Sequence, residues 1–377
     1  MIAVRPGSHM YNLLSLLSIS GEFPSSSLSI LGNVRVVKAL VHKMEAVQNI
    51  RLNYDNTILK TKLLQLSGKG NMRTIRLSKN ALAILNEIHP AAHGYYLASF
   101  PDNRFTGDKY RIRRNHRVGE AIAVCMMAGI ESAPYKLPKL QKESICHVIP
   151  EIPCYYIARN FKKIYEAELN KTIFTRVTGL LFYPGNAYAV YNTRDAVMKW
   201  SGLGELKAKQ ELSEIVRMNA GLDEVTSAVL FGASQDIALK TLIESDKSRK
   251  KQVRFDRIYH NIHFVPLNQN GINLVKILTL PDWNEKLMSL LFSSEMRPKG
   301  HGSIEFDAYW DGKYIFSHLD GDIARLIRLG ETLQCQKLPF EVLCFPWQYE
   351  FLKGYLDPAV ILKQIQMSAV LQNLGIN

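Results

Sequence analysis

Three sets of residues in this 377-residue chain have the types and spacing to do chemistry. The first is cationic. Arg35, Lys38 and His42 fall at i, i+3 and i+7 with Lys43 beside them, so a helix through this stretch presents them on one face. Downstream, LSGKGNMRTIRL places Lys69, Arg73 and Arg76 around two glycines at the tip of a hairpin, where cations could hold phosphate oxygens. Arg111, Arg113 and Arg114 open a third basic stretch that could extend the same footprint. The second set is Asp195 followed by Glu205 and Lys207, the letters of a nuclease that holds Mg²⁺ on carboxylates and positions water with a lysine. Glu205, however, opens a helix after Gly202 and Gly204, where an acid favours the helix dipole, and the strand that should carry such a motif reads YAVYN. The third set is His318, Asp320 and Asp322, with Glu305 and Asp307 upstream, a constellation that could bind a divalent cation. A helix cap at Asp320 or Asp322 and a turn at Gly321 account for the same letters. The chain holds no P-loop, no G-x-G-x-x-G after a strand, no nucleophile elbow and no H-E-x-x-H. Neither a catalytic site nor a metal or cofactor is expected.

The elements around the cationic set decide what it could do. YNLLSLLSIS and EFPSSSLSIL suggest two short helices, and VRVVKALVHKMEAVQ a third with a core stripe of Val37, Leu40, Val41, Met44 and Val47. Extended segments follow through IRLNYD and ILKTKLLQLSGKGNMRTIRLS, and KNALAILNEI closes with a helix. Three helices and then a hairpin is the order of a winged helix-turn-helix, whose third helix enters the major groove while the hairpin touches backbone. Between Met10 and Asn80 ten basic residues face three acidic ones, more than half of the chain's net charge of +13. HGYYLASFPDN reads as turns, and a connector helix is predicted from about Lys109 to Gly129.

From about Ile145 strands alternate with helices. A hairpin turns at Pro184-Gly185-Asn186, GELKAKQELSEIVRMN is a helix, TSAVLFGA a strand, SQDIALKTLIES a helix, and NIHFVPLN and INLVKIL two strands. A second hairpin turns at Asp311-Gly312, before a helix and the strand FEVLCF; DKSRKKQVR is a solvated basic loop. The expected fold class is α/β, α+β overall, with a winged helix-turn-helix over 10–90, a basic connector over 91–135 and an α/β domain over 136–377 that has a subdomain from about 295. Residues 1–9 look like the remnant of a cleaved tag.

Composition narrows the classes further. Five scattered cysteines without a C-x-x-C pair argue against a disulfide framework or a zinc ribbon, and a reducing cytoplasm is the expected location. The longest apolar stretch, AIAVCMMAGI, is about half of the ~20 residues a spanning helix needs, so no membrane segment is expected.

Together the N-terminal elements, RRNHRVGEAIAVCMMAGI and TRVTGLLFYPGNAYAVYNTRDAVMKWSGLGELKAKQEL resemble the replication-relaxation family of plasmids and integrative elements, as an order of elements from Tyr11 to Phe292. The resemblance implies a winged helix joined to an α/β domain likened to a degenerate restriction-endonuclease fold. It also implies work in the replication, conjugative transfer or transcriptional regulation of a plasmid or mobile element. The expected partners are double-stranded DNA, replication or transfer proteins and a second copy of the chain. Two other classes stay open: a metal-dependent nuclease, and a scaffold for a replication or transfer complex.

Overall fold

A computed structural model of the chain describes residues 4–51, 58–105, 107–143, 147–162, 164, 174, 176–198, 202–243, 254–298 and 304–376. The protein is mixed α/β. Most of the basic stretch Asp246 to Arg254 lies outside the described residues; Arg254 itself pairs with Asp256 and Glu331.

The N-terminal unit opens with helix α1 (His9–Ser20), the short strand β1 (Phe23–Pro24), a 3-10 segment over Ser25–Leu31 and helix α2 (Val34–Glu45). The second expected helix is thus 3-10 and kinked at Ser27, because Pro24 and three serines leave its start without a side-chain cap and compete with the backbone for hydrogen bonds. Strands β2 (Gln48–Arg51) and β3 (Ile58–Thr61) pair with each other, and β4 (Leu64–Ser67) and β5 (Thr74–Leu77) form the next hairpin. β1 joins the far edge of β5, giving an antiparallel sheet of order β1-β5-β4. Helix α3 (Ala81–Ile88) is followed by α4 (Pro90–Ser99), where turns were expected. His89 caps α4, Pro90 starts it, and Ala92 and Tyr96 bury one face, so a proline at the first helical position outweighs the turn-forming letters. The leading residues are also integrated: Val4 is buried and the Ser8 hydroxyl accepts from the Tyr11 amide at the start of α1.

Helix α5 (Lys109–Met127) packs on α1 and β1 on one side and on the next sheet on the other. That sheet has the order β10-β9-β8-β7-β6. β6 (Cys154–Ile157), β7 (Val177–Tyr183) and β8 (Asn186–Arg194) form an antiparallel meander, whereas β8, β9 (Ser227–Gly232) and β10 (Asn261–Pro266) run parallel. The short helix α6 (Ala158–Lys162) follows β6, while α7 (Gly202–Ala220) and α8 (Gln235–Ile243) make the parallel crossovers. β9 is buried at every position, as a strand covered on both faces requires.

INLVKIL, expected as a strand, lies in helix α9 (Gln269–Leu278). Asn268 accepts hydrogen bonds from the Asn270 and Gly271 amides, and Ile272, Val275 and Leu278 recur every third residue on the buried side, a helical rather than an alternating period. Helix α10 (Trp283–Leu291) precedes the C-terminal unit. There β11 (Ala308–Trp310) and β12 (Lys313–Ser317) turn at Asp311 and Gly312, both at positive φ, and helix α11 (Ile323–Cys335) leads to β13 (Phe340–Cys344). Helix α12 (Pro346–Tyr355), β14 (Ile361–Gln364) and α13 (Met367–Asn373) complete the chain's described elements. This sheet has the order β11-β12-β13-β14, and its 318–322 turn meets the free edge of β10 through Phe264 N–H to Gly321 C=O at 2.8 Å.

Candidate nucleic-acid interface

Helix α2 is built to show one face. Asn33 caps it through the Arg35 and Val36 amides, while Val37, Val41 and Met44 are buried beneath. Arg35, Lys38, His42 and Lys43 are all exposed. Of these four, only His42 has an acidic neighbour among the described residues, Glu45 at 3.9 Å.

The β4–β5 hairpin turns through Gly68 and Gly70, both at positive φ, and a 3-10 turn over Gly70–Met72. Only glycine holds such a tip cheaply; a Cβ on Gly68 would lie 2.5 Å from the Met72 carbonyl oxygen. Lys69 and Arg73 are exposed at the tip, and the Arg73 carbonyl accepts from the Ser25 amide at 2.9 Å, tying the hairpin to the 3-10 segment. Arg76 does not join them. Its Nε donates to Glu22 Oε1 at 2.7 Å, its Nη2 reaches the same oxygen, and its guanidinium lies 4.7 Å from the Phe105 ring centroid. Glu22 is wholly buried and also accepts from Asn115 Nδ2 at 2.5 Å. Arg76 therefore neutralises an interior carboxylate instead of meeting phosphate.

On α5 the three arginines separate. Arg111 and Arg113 are exposed, the former 3.9 Å from Asp108, whereas Arg114 is half-buried with Nη2 3.5 Å from the Phe174 carbonyl oxygen. Deeper along the helix lies a group that the sequence reading missed. Glu120, buried, accepts from Arg194 Nε at 2.9 and 3.1 Å, from Ser27 Oγ at 2.6 Å and from Asn192 Nδ2 at 2.9 Å. A register shift between Asn192 and Arg194, with Arg194 at φ 55°, turns its side chain inward. His116 links the same arginine, at 3.3 Å, to Thr74 on β5, at 2.8 Å. Burial first, and then Arg194 and Arg76, push the His116 imidazole down to about 3, so it is neutral. The available signal was the lone acid in the apolar run GEAIAVC.

The acidic sets have other surroundings than the sequence suggested. Asp195 borders a cavity of about 350 Å³ with Ser27, Asn71, Glu120, Arg194 and Asn268, to which α7 contributes no side chain. Glu205, on α7, is buried against Arg176 at 2.7 Å, and Lys207 is exposed. In the C-terminal set the histidine beside the acids is His263 of β10, not His318: ligand atoms of His263, Asp320 and Asp322 lie within 4.8 Å of one another. Asp322 already accepts from the Ile262, Ala324 and Arg325 amides and from Asn261 Nδ2, so it caps α11 and staples it to β10. Arg325 bridges Glu305 and Asp307 at 2.7 Å each, supplying a cation beside these acids. Burial pushes Asp320 up to about 6, while His263 and Arg325 hold Asp322 below its ordinary value in spite of burial. His318 instead meets Gln235 at 2.6 Å, and burial holds it down at about 3.

Comparison of the chain with protein-family models, with curated proteins and with solved structures finds no match. Among the described residues no helix is long and apolar enough to cross a membrane.

Proposed function

We propose that the protein binds double-stranded DNA without catalysing a reaction on it, in the replication, transfer or regulation of a plasmid or mobile element. The observation that carries this is the outward face of α2, where Arg35, Lys38, His42 and Lys43 stand exposed above a buried stripe of Val37, Val41 and Met44. The order α1, β1, 3-10 segment, α2, β4, β5 with the sheet β1-β5-β4 supports a winged helix-turn-helix, in which α2 is the groove-entering helix and the β4–β5 tip the wing. The β2–β3 hairpin is then an insertion. The meander β6-β7-β8 followed by the parallel β9 favours the degenerate restriction-endonuclease-like reading, since β8 carries Tyr188 to Asn192 without an acid. A cytoplasmic location, a homodimer and replication or transfer partners belong to this same proposal.

Wing contacts position and groove contacts specify. In the full chain, Lys69→Ala with Arg73→Ala is expected to weaken binding to all duplexes alike. Lys38→Ala should relax preference at one base by about 1–3 kcal/mol. Competition binding against a randomised duplex library reads both; a Lys38 loss as sequence-blind as the wing loss would make α2 a backbone binder.

A further inference from the structure

Helix α5 offers a second cationic surface, and among the described residues several of its charges pair with no carboxylate. Tyr110, Arg113, Arg114 and Arg117 recur at the three- and four-residue steps of one helical face. Arg159 of α6 and Arg176, just before β7, act on them as well: Arg159 repels Arg114, while Arg194 foremost, and then Arg113 and Arg176, repel Arg117. Arg176 has Glu205 as its partner. Among the described residues, Arg114, Arg117 and Arg159 pair with no carboxylate; Glu166 and Glu168, in the adjoining segment, lie outside those residues. Glu120, the acid nearest Arg117 in effect, is committed to Arg194.

Two donors are also orphaned. Arg117 Nε and Arg159 Nη1 are shielded from water and, among the described residues, have no hydrogen-bond acceptor. Burial first, and then like charge, lower both Arg114 and Arg117, with Glu120 offsetting part of the effect at Arg117. Arg159 is held in position by its stacking over Phe100, 4.6 Å from the ring centroid, which occupies the guanidinium face and leaves its edge to donate. Native chains pair most buried charges and donors, and a bound ion is one of the ways in which an unpaired donor is satisfied.

We infer that Arg113, Arg114, Arg117 and Arg159 form an anion site that takes a phosphate group. A carboxylate brings one charge and two acceptor atoms; several guanidinium forks suit the multiple oxygens and higher charge of phosphate. That group has two sources, a phosphodiester of the bound nucleic acid or a small phosphorylated molecule. The first source rests on the DNA-binding proposal above and the second does not.

The test uses the full chain and two readouts. Thermal unfolding is followed in sodium phosphate against sodium chloride of equal ionic strength, and duplex affinity is measured over a salt series. A saturable rise in melting temperature specific to phosphate is expected for the parent chain. In the Arg117→Gln, Arg159→Gln double variant the phosphate-specific rise should vanish, while the ligand-free protein melts no lower than the parent because like charges have been removed. If DNA supplies the phosphate, the same variant binds duplex about tenfold more weakly and its salt slope shrinks by about one or two. Loss of the phosphate response with unchanged duplex affinity assigns the site to a small phosphorylated ligand. A phosphate response in a chain without DNA affinity keeps the site and removes the DNA proposal. Equal melting in phosphate and chloride, with duplex affinity unchanged in the variant, overturns the site alone. Should the glutamine variant fail to fold, Arg117→Lys with Arg159→Lys keeps the charge and loses the forks, and an undiminished phosphate response in it is equally fatal.

Discussion

At the scale of single residues, the polar groups divide into those that face water and those that hold the interior. Arg76 has the same letter and the same hairpin as Arg73, yet it serves Glu22. Sequence spacing showed the cations but could not show which had a buried acid waiting, because Glu22 lies 54 residues earlier in the chain. Arg76→Ala is therefore expected to act on stability: leaving Glu22 uncompensated should cost about 3–5 kcal/mol in denaturant unfolding. A variant of parental stability with weakened DNA binding would return Arg76 to the interface. The buried histidines set the pH response. His116 and His318, wholly buried and held near about 3, stay neutral in the folded chain but take up protons near 6.5 when it unfolds. Both lower stability as pH falls through 6.5 toward 3, because the unfolded chain then binds more protons. Asp320, pushed up to about 6, works in the opposite sense between about 6 and its ordinary 3.8; Glu120 and Glu205, both raised by burial, act in that same sense above the ordinary carboxylate value. Stability should thus decline as pH falls through 6.5, by up to ~1.4 kcal/mol per pH unit for each net proton, and below about 6 the Asp320 proton offsets one of the two histidine protons so that the slope stops steepening. Urea midpoints at closely spaced pH values check this, and His116→Gln should remove one proton's share of the slope. A midpoint that rises steadily as pH falls from 6.5 to 6 would contradict it.

Elements with one strong period were legible, and elements whose identity depends on what they touch were not. The stripe of α2, apart from Val47, which lies past the helix end and is exposed, the connector over Lys109–Met127 and the turn at Gly185 follow from residue spacing and from a φ that glycine accepts. The 3-10 segment, α4 and α9 did not, since a cap, a first-turn proline or a docking surface decided each. α9 is the clearest case. Gly271 lies so close to β10 that an added Cβ would sit 1.8 Å from the Pro266 carbonyl oxygen. In an open helix, replacing glycine by alanine gains roughly 0.5–1 kcal/mol. Here Gly271→Ala should instead destabilise by about 1–3 kcal/mol, because backbone must move to admit one methyl group. A gain in melting temperature would mean that α9 does not rest on β10 in this way.

Across the whole molecule, charge and burial are laid out in a consistent pattern. The exposed cations of α2 and the β4–β5 tip belong to one unit; the carboxylates Glu22 and Glu120 are buried, each beside its own arginine. The Glu120, Arg194 and His116 contacts join that unit to the central sheet through α5, so the N-terminal unit is held against the sheet rather than tethered to it. Of this joining network the sequence offered only the lone acid of GEAIAVC, because the residues that meet come from four separate stretches. The proposed DNA binding depends on the exposed face of α2 meeting phosphates and bases, and the salt dependence of duplex binding by the full chain tests that most directly. Several released counterions should give a steep linear fall of log affinity with log salt, and Arg35→Ala with Lys38→Ala should weaken binding and flatten the slope by about two. Absence of duplex affinity at low salt, or a slope untouched by those two substitutions, would contradict it.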